Sequence, residues 1–334
     1  MDKIKIAVAG LGGISQVMHL PALLKLNNVE ISAVCDIDFT KAKNIARRFS
    51  IPKYYKHSAD MLSENPDINS VIVATRTDAH HKVAIQCLAE GKNVLIEKPL
   101  ARNYKEASEI IAEAEKQKKI LMVGMNNRFR NDVMLQRSFI KGKEIQDVFY
   151  VKTGWLKTQS SDRKWLMDRE KSGGGVILDN GIVMLDLGLW MLDFADVHSV
   201  SAVNYYHNTK SVEDSNFSLI KFKNGASLTI EISWSLLRSR EFFYNNVYGK
   251  SGSTSINPLK VFKVFDNTLL EITPKNIKAV TDTKSSYESE IKHFVNVITG
   301  KDKQISTGKE ALIVMQIIDA IYKSAKKGKE IIFK

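Results

Sequence analysis

The sequence predicts an α/β protein with a doubly wound parallel sheet over residues 1–124 and a second, α+β domain over residues 125–334. Three observations carry this reading. At 334 residues the chain exceeds what one hydrophobic core comfortably serves. Apolar runs alternate with amphipathic helical stretches through the first third, which is the pattern of βαβ units. Beyond residue 141 that alternation gives way to closely spaced strand-like runs, with helical periodicity returning only near the end.

Taken in order, the apolar runs at 5–10, 30–36, 70–74, 93–97 and 120–124 read as buried parallel strands. Residues 79–90 form an amphipathic helix that Gly91 closes, and Asn103 with Glu106 makes a capping box opening a helix as far as Gln117. A helix at 131–141 leads into the second domain. There the runs at 147–156, 199–206, 217–222, 226–233, 242–248 and 261–265 read as strands, and Asn224-Gly225 supplies a hairpin turn. Amphipathic helices at 287–299 and 309–323 close the chain.

Composition excludes several classes. Hydrophobic residues make up 44% and charged residues 26%, as in ordinary globular proteins. The net charge of +12 invites a nucleic-acid partner, but the lysines are spread along the chain without a helix-turn-helix, zinc-finger or aromatic RNA-binding signature. The surplus reads as solvated surface, or as attraction for an anionic substrate. The best membrane-span candidate, 176–194, is interrupted by Asp179, Asn180, Asp186 and Asp193, so it reads as a buried helix and no membrane partner is expected. The N-terminus has no signal-peptide pattern. Cys35 and Cys87, the only cysteines, read as reduced packing residues of a cytoplasmic protein. No Cys or His spacing suits a metal, so none is expected.

The first strand-to-helix turn carries the chemistry. Gly10-Leu11-Gly12-Gly13-Ile14-Ser15 matches Gly-x-Gly-x-x-Gly with serine in the third small position. Gly10 permits the tight turn, Gly12 lets the backbone approach a pyrophosphate, and the helix N-terminus offers free N–H groups to the phosphate charge. At the end of the second strand lies Asp36, 21 residues past Ser15. Its carboxylate can accept from both ribose hydroxyls and would repel a 2′-phosphate, so NAD is expected and NADP disfavoured. A glycine loop alone is a weak signal; strand, helix and acid together make it strong.

Six stretches carry further information: GLGGISQVMHLPALL at 10–24, TRTDAH at 75–80, GKNVLIEKPLA at 91–101, VGMNNRF at 123–129, GGGVILDNGIVMLD at 173–186 and the tail 287–329. Together they resemble one family, the Gfo/Idh/MocA oxidoreductases. Glu97-Lys98-Pro99 is the most distinctive, and the likeness runs nearly end to end. The resemblance implies a large, mostly antiparallel open sheet in the second domain, with a homodimer or homotetramer burying its uncovered face. It implies that Thr75 and His80 line the cofactor pocket and that Glu97 lies near the nicotinamide ribose. Lys98 would reach between cofactor and a sugar-like substrate, and the Lys98–Pro99 peptide bond that follows it would be cis. Asn126 and Arg128 fall at the domain junction, the latter toward substrate. Arg163, Lys164 and Trp165 precede the glycine run in a loop able to cover the cleft, and Trp165 is the residue expected to touch substrate there.

The departures from the family pattern are as informative. Alcohol-oxidising members carry Asp-x-Gly-x-His on the helix after the glycine run, where the i and i+4 side chains share a face. Here Asp179 is retained, whereas Val183 occupies the histidine position in the substrate pocket. Alcohol oxidation needs a proton acceptor, and valine cannot serve. Lys98 with Asp179 can handle the proton if the lysine is desolvated; another residue can supply the base; or the chain acts on an imine or enone, processes glycosides with NAD, or binds NAD and a sugar as a sensor. Arg76 replaces the usual proline and reads as a water-tolerant loop residue, or as a partner for a phosphate or carboxylate.

Overall fold

The computed structural model describes residues 3–158, 164–236, 239–275 and 283–333. They form two compact units. Residues 1–126 and 283–312 make up the first, and residues 127–282 and 313–334 the second. Residues 283–312, which the sequence assigns to the later domain, thus cluster with the first unit.

The first unit is a six-stranded parallel sheet of β1 (Ile4–Ala9), β2 (Val29–Cys35), β3 (Lys53–Tyr55), β4 (Ser70–Val73), β5 (Asn93–Glu97) and β6 (Leu121–Gly124), in the order β3-β2-β1-β4-β5-β6. Strand order reverses beside β1, which is the switch point where open α/β sheets leave a crevice at their carboxyl ends. β3 is too short and too exposed to leave an apolar run in the sequence, which is why only five strands are legible there. Asn103 caps its helix as expected, its Oδ1 accepting from the Glu106 N–H, while Glu106 Oε2 accepts from the N–H of Arg102, one residue before the cap.

Residues 283–312 join this unit through polar contacts to the β6 edge. Thr307 bridges Met122, Ser306 Oγ donates to the Val123 carbonyl at 2.6 Å, and Gln304 Nε2 donates to the Leu121 carbonyl at 2.7 Å. The helix Thr283–Ile298 buries Ile291 and Phe294 and places Tyr287 edge-on to His19. An amphipathic pattern reveals that such a helix needs a partner, but not which one.

The second unit holds a nine-stranded sheet. Its strands are β7 (Val148–Leu156), β8 (Val197–Tyr205), β9 (Ser215–Phe222), β10 (Ser227–Ser233), β11 (Phe242–Gly249), β12 (Gly252–Ser255), β13 (Lys260–Phe265), β14 (Thr268–Glu271) and β15 (Ile331–Ile332). Their order is β14-β13-β12-β11-β7-β10-β9-β8-β15, antiparallel except between β7 and β10. Register sets one face as core. Val200, Ile220, Leu228, Val151, Val247, Thr254 and Val261 stand in a single row across seven strands, and all are buried. The helix Ile182–Met191 covers that face so closely that a Cβ on Gly188 would come within 2.6 Å of Leu228. One residue further along, Ser201, Leu219, Thr229, Lys152, Asn246 and Ser255 form the matching row on the other face, all half-exposed. The run Arg169–Met191 is long and apolar enough to cross a membrane by composition, yet its apolar stretch is almost wholly buried inside this unit.

Candidate cofactor site and active site

Gly10 leaves β1 with φ +92°, and a Cβ there would lie 2.5 Å from the Ala74 carbonyl oxygen, so only glycine fits. Ser15, fully buried, donates its hydroxyl to the Gly10 carbonyl at 2.6 Å, which explains why the third small position tolerates serine. Gly12 and Gly13 differ. Neither has a positive φ, and a Cβ on either would meet no protein atom within 4 Å. The fold asks nothing of these two positions, while a pyrophosphate backed against bare backbone asks for both. The loop therefore fits a dinucleotide. Ile14 follows in helical conformation at the start of the turn that carries Ser15.

Asp36 sits buried at the tip of β2 and ties the loop in place. Its Oδ2 accepts from the Leu11 N–H at 2.8 Å and its Oδ1 from the Asp38 N–H at 3.0 Å, with Lys41 Nζ 2.9 Å from the same Oδ1. The helix after the loop is under-wound over Ser15–His19, where the Leu20 N–H reaches back five residues to the Ser15 carbonyl. Pro21, without an N–H, follows in the next turn.

That widened turn carries a side chain sequence reasoning missed. His19 is fully buried, and its Nε2 lies 2.8 Å from Glu97 Oε1 at the end of β5. Glu97 Oε2 in turn accepts from the Lys98 N–H at 3.2 Å. The carboxylate thus links the glycine-loop helix to the strand end that carries Lys98. A lone histidine in an apolar helix gives no sign of its partner 78 residues away. Lys98 itself is half-buried, and its bond to Pro99 is cis.

Thr75 is half-buried at the end of β4. His80, expected to line the cofactor pocket, is enclosed instead. Its Nδ1 lies 2.8 Å from the Pro99 carbonyl oxygen and its Nε2 3.0 Å from that of Thr75, so its polar atoms are spent fastening the two strand-end loops together. Burial lowers its pKa from the ordinary histidine value, against the pull of those two carbonyls. Arg76 pairs with Asp78 at 2.8 Å on its own helix, as a loop residue does. Asn126 is buried and donates to Ser286 Oγ at 2.9 Å. The Cys35 and Cys87 thiols are buried, and burial pushes Cys35 up to about 12 and Cys87 higher still, as suits inert packing groups.

In the second unit Asp179 lies half-buried on the under-wound turn Ile177–Gly181, with Val183 buried one turn further along. Arg128 departs from expectation. It is 1% exposed and holds Asp186 through two hydrogen bonds, at 2.6 and 2.8 Å, between the rings of Trp190 and Phe194. It is a buried structural ion pair of this unit, not a side chain presented to substrate. Trp165 is half-buried in the short turn Lys164–Met167, and Arg163 lies outside the described residues.

The second missed residue is Glu213. Fully buried, it accepts on Oε1 from the Gly175 and Ile177 N–H groups, each at 3.0 Å, and from the Tyr322 hydroxyl at 2.9 Å. It therefore pins the turn from which the Asp179 helix starts. Among the described residues no group of three His, Cys, Asp or Glu side chains is gathered to hold a metal.

Residues 4–125 match the family described as "Oxidoreductase family, NAD-binding Rossmann fold", and residues 137–332 match its "C-terminal alpha/beta domain". The chain belongs to the Gfo/Idh/MocA oxidoreductase family. It is thus an NAD-binding oxidoreductase, with the doubly wound and antiparallel sheets of that architecture. Among its relatives is the D-glucoside 3-dehydrogenase of Escherichia coli (strain K12), 26% identical over 97% of this chain and 96% of the relative. Another is the NAD-dependent scyllo-inositol 2-dehydrogenase of Bacillus subtilis (strain 168), 24% identical over 98% and 95%. Levoglucosan dehydrogenase in complex with NADH and levoglucosan shares the fold, with a TM-score of 0.89 at 19% identity over 99% of both chains.

Proposed function

We propose that this family member transfers a hydride between NAD and a hydroxyl or carbonyl of a sugar, cyclitol or sugar derivative. The observation that carries the reading is the glycine loop, whose Gly12 and Gly13 are spared side chains the fold would accept, in one unit with Lys98 at the carboxyl end of a parallel strand. The sugar and cyclitol dehydrogenases among the relatives support the substrate class. In this reading the dinucleotide lies along Gly10–Ile14 with its adenosine ribose at Asp36, near Thr75, Glu97 and Asn126. NAD supplies the redox chemistry when bound. Lys98 polarises the reacting oxygen, Asp179 acts on the substrate hydroxyl, and Trp165 and Val183 contribute to substrate binding.

Lys98→Met should lower turnover by about a hundredfold or more while NADH binding, followed by nicotinamide fluorescence, stays nearly unchanged. Polyols, sugar acids and nucleotide sugars screened at the nicotinamide absorbance band supply the assay. Undiminished turnover in that variant would sink the assignment of Lys98. Val183 favours a second reading: 5% exposed and without a titratable atom, it leaves that position no base. Reduction of an imine or enone needs a donor instead, and product formation from such substrates alone would select it.

The reading extends to assembly and location. The half-exposed face of the nine-stranded sheet bears Val203, Tyr205, Phe217 and Tyr248, all exposed, which supports a homodimer or homotetramer burying it. A monomeric mass by native mass spectrometry contradicts that. Two buried, unpaired cysteines support a cytoplasmic protein.

A further inference from the structure

Asp36 is the residue on which discrimination between NAD and NADP turns in this reading, and a lysine is paired with it. A carboxylate offers about four lone-pair positions. Three are already engaged: Oδ2 by the Leu11 N–H, Oδ1 by the Asp38 N–H and by the Lys41 ammonium at 2.9 Å. The ammonium is the only one of the three that can leave. Its side chain is 36% exposed, against 8% for Asp36, and it springs from the first turn of the helix Phe39–Arg48. Leu11 and Asp38 are backbone donors fixed by the fold.

From this geometry we propose that Lys41 is a specificity-determining residue that makes the adenosine end of the site tolerant of a 2′-phosphate, so that NADP binds alongside NAD. A ribose bearing two hydroxyls needs acceptors, and it gains Oδ1 when Lys41 swings into solvent. A ribose bearing a 2′-phosphate needs a cation, and it finds Lys41 poised beside the same oxygen with two further N–H groups to give. The Asp36 charge that would repel the phosphate is offset by its ion pair. The phosphate would also lie near the start of a ten-residue helix, where free N–H groups favour anions. Asp38 is the one opposing charge on that turn, and its Oδ1 is occupied in capping the helix through the Lys41 N–H at 3.0 Å.

The inference rests on the NAD assignment, and binding tests separate the two. NADH and NADPH are titrated into the intact chain by nicotinamide fluorescence, for the wild type, Lys41→Ala and Lys41→Gln. The wild type should bind NADPH within about tenfold of NADH, because one charge-assisted contact compensates much of the carboxylate's repulsion. Both variants should weaken NADPH about tenfold or more and leave NADH equal or tighter, with the NADPH effect fading as salt is raised. A ratio of the two affinities unchanged by either variant overturns the role of Lys41. So does wild-type NADPH binding weaker than NADH by a thousandfold. Binding of neither nucleotide overturns the cofactor assignment itself, and this inference with it.

Discussion

The chain contains two glycine runs that look alike in sequence and answer to different masters. Each opens on a glycine with positive φ, +92° at Gly10 and +86° at Gly173, where the backbone turns into a helical segment. Beyond that first residue they part. At Gly12 and Gly13 an added Cβ would meet nothing. At Gly174 it would lie 2.0 Å from the Tyr322 hydroxyl oxygen, and at Gly175 2.0 Å from the Glu213 carbonyl oxygen. In the first run the protein leaves the two later positions open, as a bound pyrophosphate would require, and in the second its own backbone and the half-buried Tyr322 fill the space. Sequence motifs report only that a side chain is excluded; the structure says by what.

The contrast can be broken most sharply at Gly175. A methyl group there has backbone on its far side, which cannot rotate away, so Gly175→Ala should cost about 3 kcal/mol or more of stability. The denaturant midpoint should fall accordingly. An unchanged midpoint would mean that the second run is not set by packing. Gly12→Val is the mirror experiment. Its stability should stay within about 0.5 kcal/mol of the wild type, since nothing crowds the position. NADH affinity, by contrast, should drop about tenfold or more as the branched side chain fills the space a pyrophosphate would take. A destabilised Gly12→Val with intact NADH affinity would reverse the roles assigned to the two runs.

What the sequence made legible follows the same division. Strands buried on both faces announce themselves as apolar runs, so β1, β2, β4, β5 and β6 and the loop between β1 and its helix were readable, as was Asp36 at a fixed spacing. β3, β12, β14 and β15 were not, because two to four mostly half-exposed or exposed residues leave no period to detect. Among candidate site residues, those defined by local spacing stand where that spacing put them: Gly10 to Ile14 at the first strand-to-helix turn, and Asp179 with Val183 one turn later. Those defined by a partner far along the chain were missed or misread. His19 meets Glu97, Glu213 meets Gly175 and Tyr322, and Arg128 meets Asp186, each across 38 or more residues. Arg128 was read as a substrate contact because a family position carries no sign of whether a guanidinium is buried.

Glu213 offers the smallest effect and the finest test of the packing-shaped run. Burial raises its pKa above the ordinary carboxylate value of 4.5, more than the Ile177, Gly175 and Tyr322 donors lower it. In the folded chain the group therefore keeps its proton at a pH where the unfolded chain has released it. Folding binds the extra proton, so this residue makes stability fall as pH rises from about 4.5 through the raised folded value, and the full penalty persists above it. Glu213→Gln keeps an oxygen for the Gly175 and Ile177 N–H groups but cannot titrate. Urea unfolding at pH 5 and pH 9 should show the wild type losing about 1 kcal/mol more than the variant over that interval. Equal losses would mean that Glu213 is ionised in the fold, with its Oε2, which finds no hydrogen-bond partner among the described residues, reached by water. The glycine run would then border a wet site, and the difference between the two runs would narrow to the contacts at Gly174.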